Sequence, residues 1–379
     1  MTSRFWRTGA VAFAVLLTLT ACGTRDGNTG SNVQSSSPGS ALQLQAAEKV
    51  EEATAQANYP GPTEAFDPGD FKVAVAACGF AAPVCKAQAD EAVAALTAMG
   101  YQVGPAFDTQ FSPQQSGAFL DRAVQQKLDG VLLYSVDVDT MPEATQRALD
   151  AGLTIVCTMC ANTEKWDGKV YNVTVDWRNQ GAIAAWKMLS QNGEEVKAAT
   201  FHDDAYRSTV LRAEGLTAAL AQECPDCSVV DKSFLSADIS KPGPPQVSAL
   251  LASAPKGQIT NFAGSYDGFA SIAANTIAQA GRSEIDVSGY NGDAAVVNSV
   301  VTGKPAPMSF TVGMPQTYSQ WAGADVLGRV LNGRPVWGGA DTLPSTLIDE
   351  SNADQYLDSD PAPEGDWRTS FTSLWTTGS

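Results

Sequence analysis

From residue 71 to residue 331 the chain alternates short apolar runs with longer amphipathic ones, and this beat narrows the possible folds more than any other feature. The runs at 71–77, 101–107, 131–135, 153–158 and 170–175 are rich in Val, Ile, Leu and Ala, as strands covered on both faces must be. Between them, 87–99, 112–128 and 142–151 have helical length, with Ser112 placed as an N-cap and Gly100 and Gly152 at helix ends. The beat then repeats: helices at 177–191, 208–222, 245–254, 268–280, 294–301 and 316–331 alternate with strands at 196–201, 228–234, 258–263, 285–290 and 308–312. Strands separated by helices need crossover connections, so each series folds as a parallel sheet with helices on both faces. At 379 residues the chain is too long for one core, and the expected fold is α/β, two Rossmann-like doubly wound parallel-sheet lobes. The segment from 341 onward is acidic with little periodicity, and reads as a tail.

The N-terminus places the protein outside the cytoplasm. Arg4 and Arg7 precede an apolar run at 9–20 that is shorter than the roughly 17–25 residues of a membrane-spanning helix, so residues 1–21 read as a signal peptide. Leu19, Thr20, Ala21 and Cys22 resemble a bacterial lipobox, which implies lipid attachment at Cys22 and anchoring to the outer face of the cell membrane. Residues 22–69 are expected as a lipid-anchored flexible linker, rich in Gly, Ser, Asn and Gln at 23–45, with a short helix at 46–57.

A formal charge of −17 without a basic stripe excludes phosphate-backbone recognition, so no nucleic acid is expected. Apart from Cys22, the cysteines fall in close pairs: Cys78 with Cys85, Cys157 with Cys160, and Cys224 with Cys227. In an exported chain the simplest reading is three local disulfides, although the two C-x-x-C spacings also fit zinc binding or thiol–disulfide exchange. His202 is the only histidine, which is too few for a metal cluster, and no G-x-S-x-G elbow accompanies it. No enzyme activity, cofactor or metal is expected. Asp137 and Asp139 fit caps of the next helix. Trp186 and Trp321 fit core positions, while Trp177 fits either the cleft or the hinge.

Several signatures occur in a shared order: Pro83 before the first helix, Asp129-Gly130-Val131 followed by Asp137 and Asp139, Ala151-Gly152-Leu153, Asp176 with Gly181, Glu214-Gly215-Leu216, Tyr266-Asp267-Gly268, and Ser288-Gly289-Tyr290-Asn291-Gly292. Over roughly 71–335 the chain thus resembles the type I periplasmic sugar-binding proteins of the ribose, galactose and xylose importer class. The resemblance implies two lobes joined by a three-stranded hinge, with crossings near 175–176, 313 and 337–338. It assigns 70–175 and 314–338 to the N-terminal lobe, and 176–313 and 339–379, with the acidic tail, to the C-terminal lobe. It also implies a monomer that closes on a small-molecule solute in the cleft and presents it to an ABC permease with its ATPase subunits.

The family's pocket groups change on transfer to this chain. Its acidic and arginine pair falls on Met159 and Cys160, and its pocket arginine on Val210. Its carboxylate falls on Asn291, its asparagines on Tyr266 and Ser135, its glutamine on Gly313, and its stacking aromatics on Val84 and Cys85. Other polar contacts are expected from the loop holding His202, Asp203, Asp204, Tyr206 and Arg207, and Phe80 is expected to face the solute from the 78–85 loop. A sugar or polyol is the first expectation, and a less polar or aromatic solute the second. A ligand sensor for a membrane kinase and a thiol–disulfide enzyme are rivals from other classes.

Overall fold

The apolar runs of the first half form strands whose composition follows from two-sided burial. The computed structural model describes residues 39–236 and 245–376; the expected signal peptide and Cys22 lie outside them. In the first sheet β1 (Lys72–Ala77), β2 (Gln102–Val103), β3 (Phe107–Asp108), β4 (Gly130–Tyr134), β5 (Thr154–Thr158) and β6 (Val170–Val173) are all parallel, in the order β2-β1-β4-β5-β6 with β3 also beside β1. Along β4, Leu132 and Tyr134 pack on the face covered by α2 (Pro83–Ala98) and α10 (Gln316–Leu331). Val131 and Leu133 pack on the face covered by α3 (Pro113–Gln125) and α4 (Pro142–Asp150). The expected strand at 101–107 is divided between β2 and β3.

The second sheet runs β12-β11-β10-β9-β7-β8, from β7 (Lys197–His202), β8 (Ser228–Ser233), β9 (Asn261–Ala263), β10 (Asp286–Asn291), β11 (Phe310–Gly313) and β12 (Thr346–Asp349). All its pairings are parallel except β11 with β12, so the lobe ends in one antiparallel edge strand. Its helices are α5 (Trp177–Asn192), α6 (Arg207–Glu223), α7 (Pro245–Ser253), α8 (Asp267–Gln279) and α9 (Ala294–Thr302). The chain crosses between sheets after β6, after β11 and between α10 and β12. Two crossings lie side by side, Thr174 N donating to Ala340 O and Leu343 N to Thr174 O.

Two ends of the chain pack differently from expectation. Within the expected linker, α1 (Ala41–Thr54) starts in a capping box at Ser40 and buries Ala46 against the Ile183, Met188 and Leu189 side of α5. Phe66 then pairs with Trp375 and joins the first lobe's core. The expected tail of the second lobe ends in α11 (Trp367–Thr372), and its Phe371 and Trp375 lie in that same first-lobe core. The reason is aromatic burial: Trp375 stacks on Trp321 of α10 at 5.8 Å and donates its Nε1–H to buried Asp325 at 2.9 Å.

Candidate functional site

The carboxyl ends of both sheets face a common cleft, the usual place for a ligand in open α/β sheets. A cavity of about 90 Å³ lies there. Its wall from the first lobe is apolar: Cys78 after β1, Ala82, Val84 and Cys85 at the start of α2, and Phe111 after β3. Tyr134 and Ser135 complete that wall with hydroxyls already committed, Tyr134 donating to Gln316 Oε1 at 2.5 Å and Ser135 to Met159 O at 3.2 Å. The second lobe supplies Tyr206, Ser208, Thr209 and Arg212 around the start of α6, Tyr266 after β9 and Asn291 at the end of β10. Ser236 also lines it; its buried Oγ lies near the Tyr266 hydroxyl but outside hydrogen-bond geometry with it. Trp177 and Met314, each just past a crossing, close the hinge side.

Two glycines set the position of the central cation. A Cβ on Gly181 would lie 2.1 Å from Arg212 O, and one on Gly215 would lie 2.0 Å from Arg178 O. Only bare backbone lets α5 and α6 cross this closely. The crossing carries Arg212 into the cleft, where Nε donates to Gln180 Oε1 at 2.8 Å, Nη1 to Ser265 O at 2.9 Å and Nη2 to Asn291 Oδ1 at 3.0 Å. The guanidinium also lies 4.8 Å from the Trp177 ring centre and 4.9 Å from that of Tyr290. Burial pulls its pKa down to about 10, which still leaves it a cation at neutral pH.

Behind this cation a buried polar chain spans the hinge. Gln316 Nε2 donates to Asp293 Oδ1 at 3.1 Å, Asp293 N donates to Asp267 Oδ2 at 2.7 Å, and Thr311 donates to Asp267 Oδ1 at 2.8 Å. Burial, and then the charge of Asp293, pushes the Asp267 carboxyl well above the ordinary range; burial raises Asp293 too. Burial likewise keeps the Tyr206 and Tyr266 hydroxyls protonated as donors. The arrangement can hold a small solute by hydrogen bonds from one side and apolar contact from the other. Among the described residues no cluster of His, Cys, Asp and Glu could hold a metal ion.

Of the residues expected to meet a solute, Ser135, Tyr206, Tyr266 and Asn291 line the cavity, as do Val84 and Cys85 at the positions of the family's stacking aromatics, and the others do not. Phe80 packs on the first-lobe core under the Lys86 ammonium, and Phe111 takes its place in the wall. Met159 and Cys160 are buried behind the wall, the Cys160 carbonyl accepting from Thr174 Oγ1 and Trp177 Nε1. His202 is held outside by Asp231 at 2.8 Å and by exposed Asp204 at 3.4 Å. Arg207 turns to the first-lobe carbonyls of Ala161 and Asn162, and Gly313 lies against Ile348 and Pro361. Asp137 and Asp139 cap no helix of their own lobe but hold the loop after β5, through Ala161 N, Thr163 and Trp166 Nε1.

Arg212, two residues beyond Val210, is the arginine that lines the cavity. Its signal was present in the sequence: Thr209, Arg212, Ala213, Leu216 and Leu220 form the buried stripe of α6, and an arginine inside such a stripe marks a polar site. The sulfurs of Cys78 and Cys85, Cys157 and Cys160, and Cys224 and Cys227 lie at disulfide distance in local pairs.

The sequence profile of the periplasmic binding protein domain matches residues 73–335. No curated protein sequence matches the chain. Among solved structures, an ABC transporter solute-binding protein from Agrobacterium vitis with bound allitol is similar with a TM-score of 0.66 at 19% identity, covering 76% of this chain and 97% of that one. A Caulobacter myo-inositol binding protein bound to myo-inositol has a TM-score of 0.67 at 17% identity, with 78% and 98% covered. A Mycobacterium smegmatis ABC transporter solute-binding protein with bound glycerol has a TM-score of 0.65 at 18% identity, with 78% and 100% covered.

Proposed function

We propose a function for this chain from one premise: it belongs to the periplasmic binding protein domain family. The family is one of extracytoplasmic binding proteins, not enzymes, and no described helix is long and apolar enough to cross a membrane. The chain captures a small sugar or polyol in the cleft between its lobes and hands it to the permease of an ATP-driven importer, held at the membrane by lipid on Cys22. The observation that carries this reading is the cavity at the carboxyl ends of both sheets, where Arg212, Asn291, Tyr206 and Tyr266 converge from separate elements. The structures it resembles, with allitol, myo-inositol and glycerol bound, support that solute class.

A second reading follows from the unequal walls. Cys78, Cys85, Val84, Ala82 and Phe111 give a solute hydroxyl nothing to bond, and a hydroxyl buried unpaired costs about 1–3 kcal/mol. A solute with one apolar face, such as a deoxy sugar or a hydroxylated aromatic acid, fits that wall better than a fully hydroxylated ring. A thermal-shift panel of hexoses, polyols, 6-deoxy sugars and hydroxybenzoates tests both, because a ligand at ~100 times its Kd stabilises the native state by about 2.7 kcal/mol. Binding of hexoses or polyols supports the first reading and preference for the amphipathic group the second. No shift with any of them overturns both.

A further inference from the structure

The start of α6 is the part of the site most dependent on the opposite lobe. Its N-cap residue, Tyr206, makes no side-chain cap, and the amide of Arg207, the first helical residue, has no partner within its own lobe. It donates instead to Asp137 Oδ2 at 3.2 Å, from the loop after β4 of the first lobe. The same carboxylate accepts Ala161 N on Oδ1 at 2.8 Å, so its two oxygens serve different lobes. The Arg207 side chain reaches across in the other direction, Nη1 donating to the carbonyls of Ala161 and Asn162 at 3.2 and 3.1 Å.

These acceptors are fixed in place. Asn162 Oδ1 accepts Val138 N at 2.8 Å, and Asp139 holds Thr163 and Trp166, so the loop after β5 is tied to the loop after β4. Beside them Phe111 of the first lobe meets Tyr206 of the second edge-on, with ring centroids 6.2 Å apart, and both rings line the cavity.

We infer that Asp137 caps α6 across the cleft and, with the Arg207 grip on the carbonyls of 161 and 162, forms a latch that holds the lobes closed. The latch consists only of protein groups, so it biases closure whether or not a solute is bound. It also positions Ser208, Thr209 and Arg212, which stand on the helix turns that it fixes. Asp137 is therefore a positioning residue: it is absent from the cavity wall yet sets where that wall stands. The inference takes the cavity as the solute site, as proposed above, but its test needs no solute, so each can fail without the other.

Amide hydrogen exchange of the full chain without solute, read residue by residue, tests it, since exchange reports local opening. Asp137→Asn keeps one oxygen for Ala161 N and turns an amide donor toward Arg207 N; Arg207→Ala leaves Asp137 and removes only the carbonyl grip. Asp137→Asn is expected to speed exchange of the residue 207 amide by about fivefold or more, the scale of a lost cap. Exchange within α6 at 212–220 and within β4 should stay unchanged, and Arg207→Ala should speed the 207 amide as well. A 207 amide unprotected in the wild type, or equally protected in wild type and both variants, overturns the latch. Loss of protection throughout α6 and β4 in both variants overturns it too, because it would assign these residues to the fold and not to closure.

Discussion

Arg212 is held by neutral acceptors, three oxygens and the Met314 sulfur at 3.8 Å, and has no carboxylate among its hydrogen-bond partners in the described residues. Its planar fork is what lets one side chain reach Gln180, Ser265 and Asn291 together; an ammonium is a point charge and cannot. Arg212→Lys is therefore expected to weaken solute binding by ~10–100-fold, read by calorimetry with the tightest solute of the panel; unchanged affinity would remove the cation from the site. A second buried cation has a purely structural place. Lys187 of α5 donates to Asp349 of β12 at 2.7 Å, both nearly inaccessible to solvent. Lys187→Met strands the carboxylate and should cost about 3–5 kcal/mol in chemical denaturation; a loss below 1 kcal/mol would mean that water reaches Asp349.

At the scale of elements, the α5–α6 crossing links packing to recognition. Placing a methyl group 2.0 Å from Arg178 O forces the helices apart, so Gly215→Ala should cost about 1–3 kcal/mol and also reduce affinity, because Arg212 moves with α6. Equal melting temperatures and affinities for variant and wild type would count against this coupling. The helices themselves were legible in the sequence. Ser112 does cap α3, accepting from Gln115 N, and the expected helix at 208–222 appears as Arg207–Glu223. The docking of α1 and α11 was not legible. A 14-residue helix with Ala46 as its only buried residue carries little apolar pattern, and although Trp367, Phe371 and Trp375 recur every four residues, α11 spans only six residues, too few for that pattern to say which lobe it packs on.

For the molecule as a whole, pH acts on the buried carboxylates in opposite directions. Asp267, Asp293 and Asp137 have raised pKa values, burial being the largest cause in each, with Asp137 at about 6. Such groups bind a proton more tightly folded than unfolded, so their contribution is full below about pH 4 and is lost as pH rises through their folded values. Asp349 behaves oppositely. Burial alone would raise it, but hydrogen bonds from Lys187 and Ser351 bring it below the ordinary value, so its contribution disappears as pH falls through the acid range. Thermal stability should therefore peak in mildly acid solution and decline toward alkaline pH, and Asp267→Asn should flatten the alkaline decline. A melting temperature that rises steadily from pH 5 to pH 9 in the wild type would contradict the assignment.

The sequence by itself determined the two doubly wound lobes and the order of their strands and helices. Each of these is written in local periodicity, and periodicity follows from which faces of an element are buried. Tertiary structure alone decided which side chains meet in the cleft. Arg207 and Asp137 lie 70 residues apart and meet only because the carboxyl ends of two sheets face one another across the hinge. Arg212 and Val210 point to nearly opposite sides of α6, because two residues of a helix turn by about 200°, and the docking of α6 on α5 decides which of the two sides is buried. Phe80, Met159, His202 and Gly313 had the right positions along the chain. The directions of their side chains were set by neighbours from distant elements, which no local pattern records.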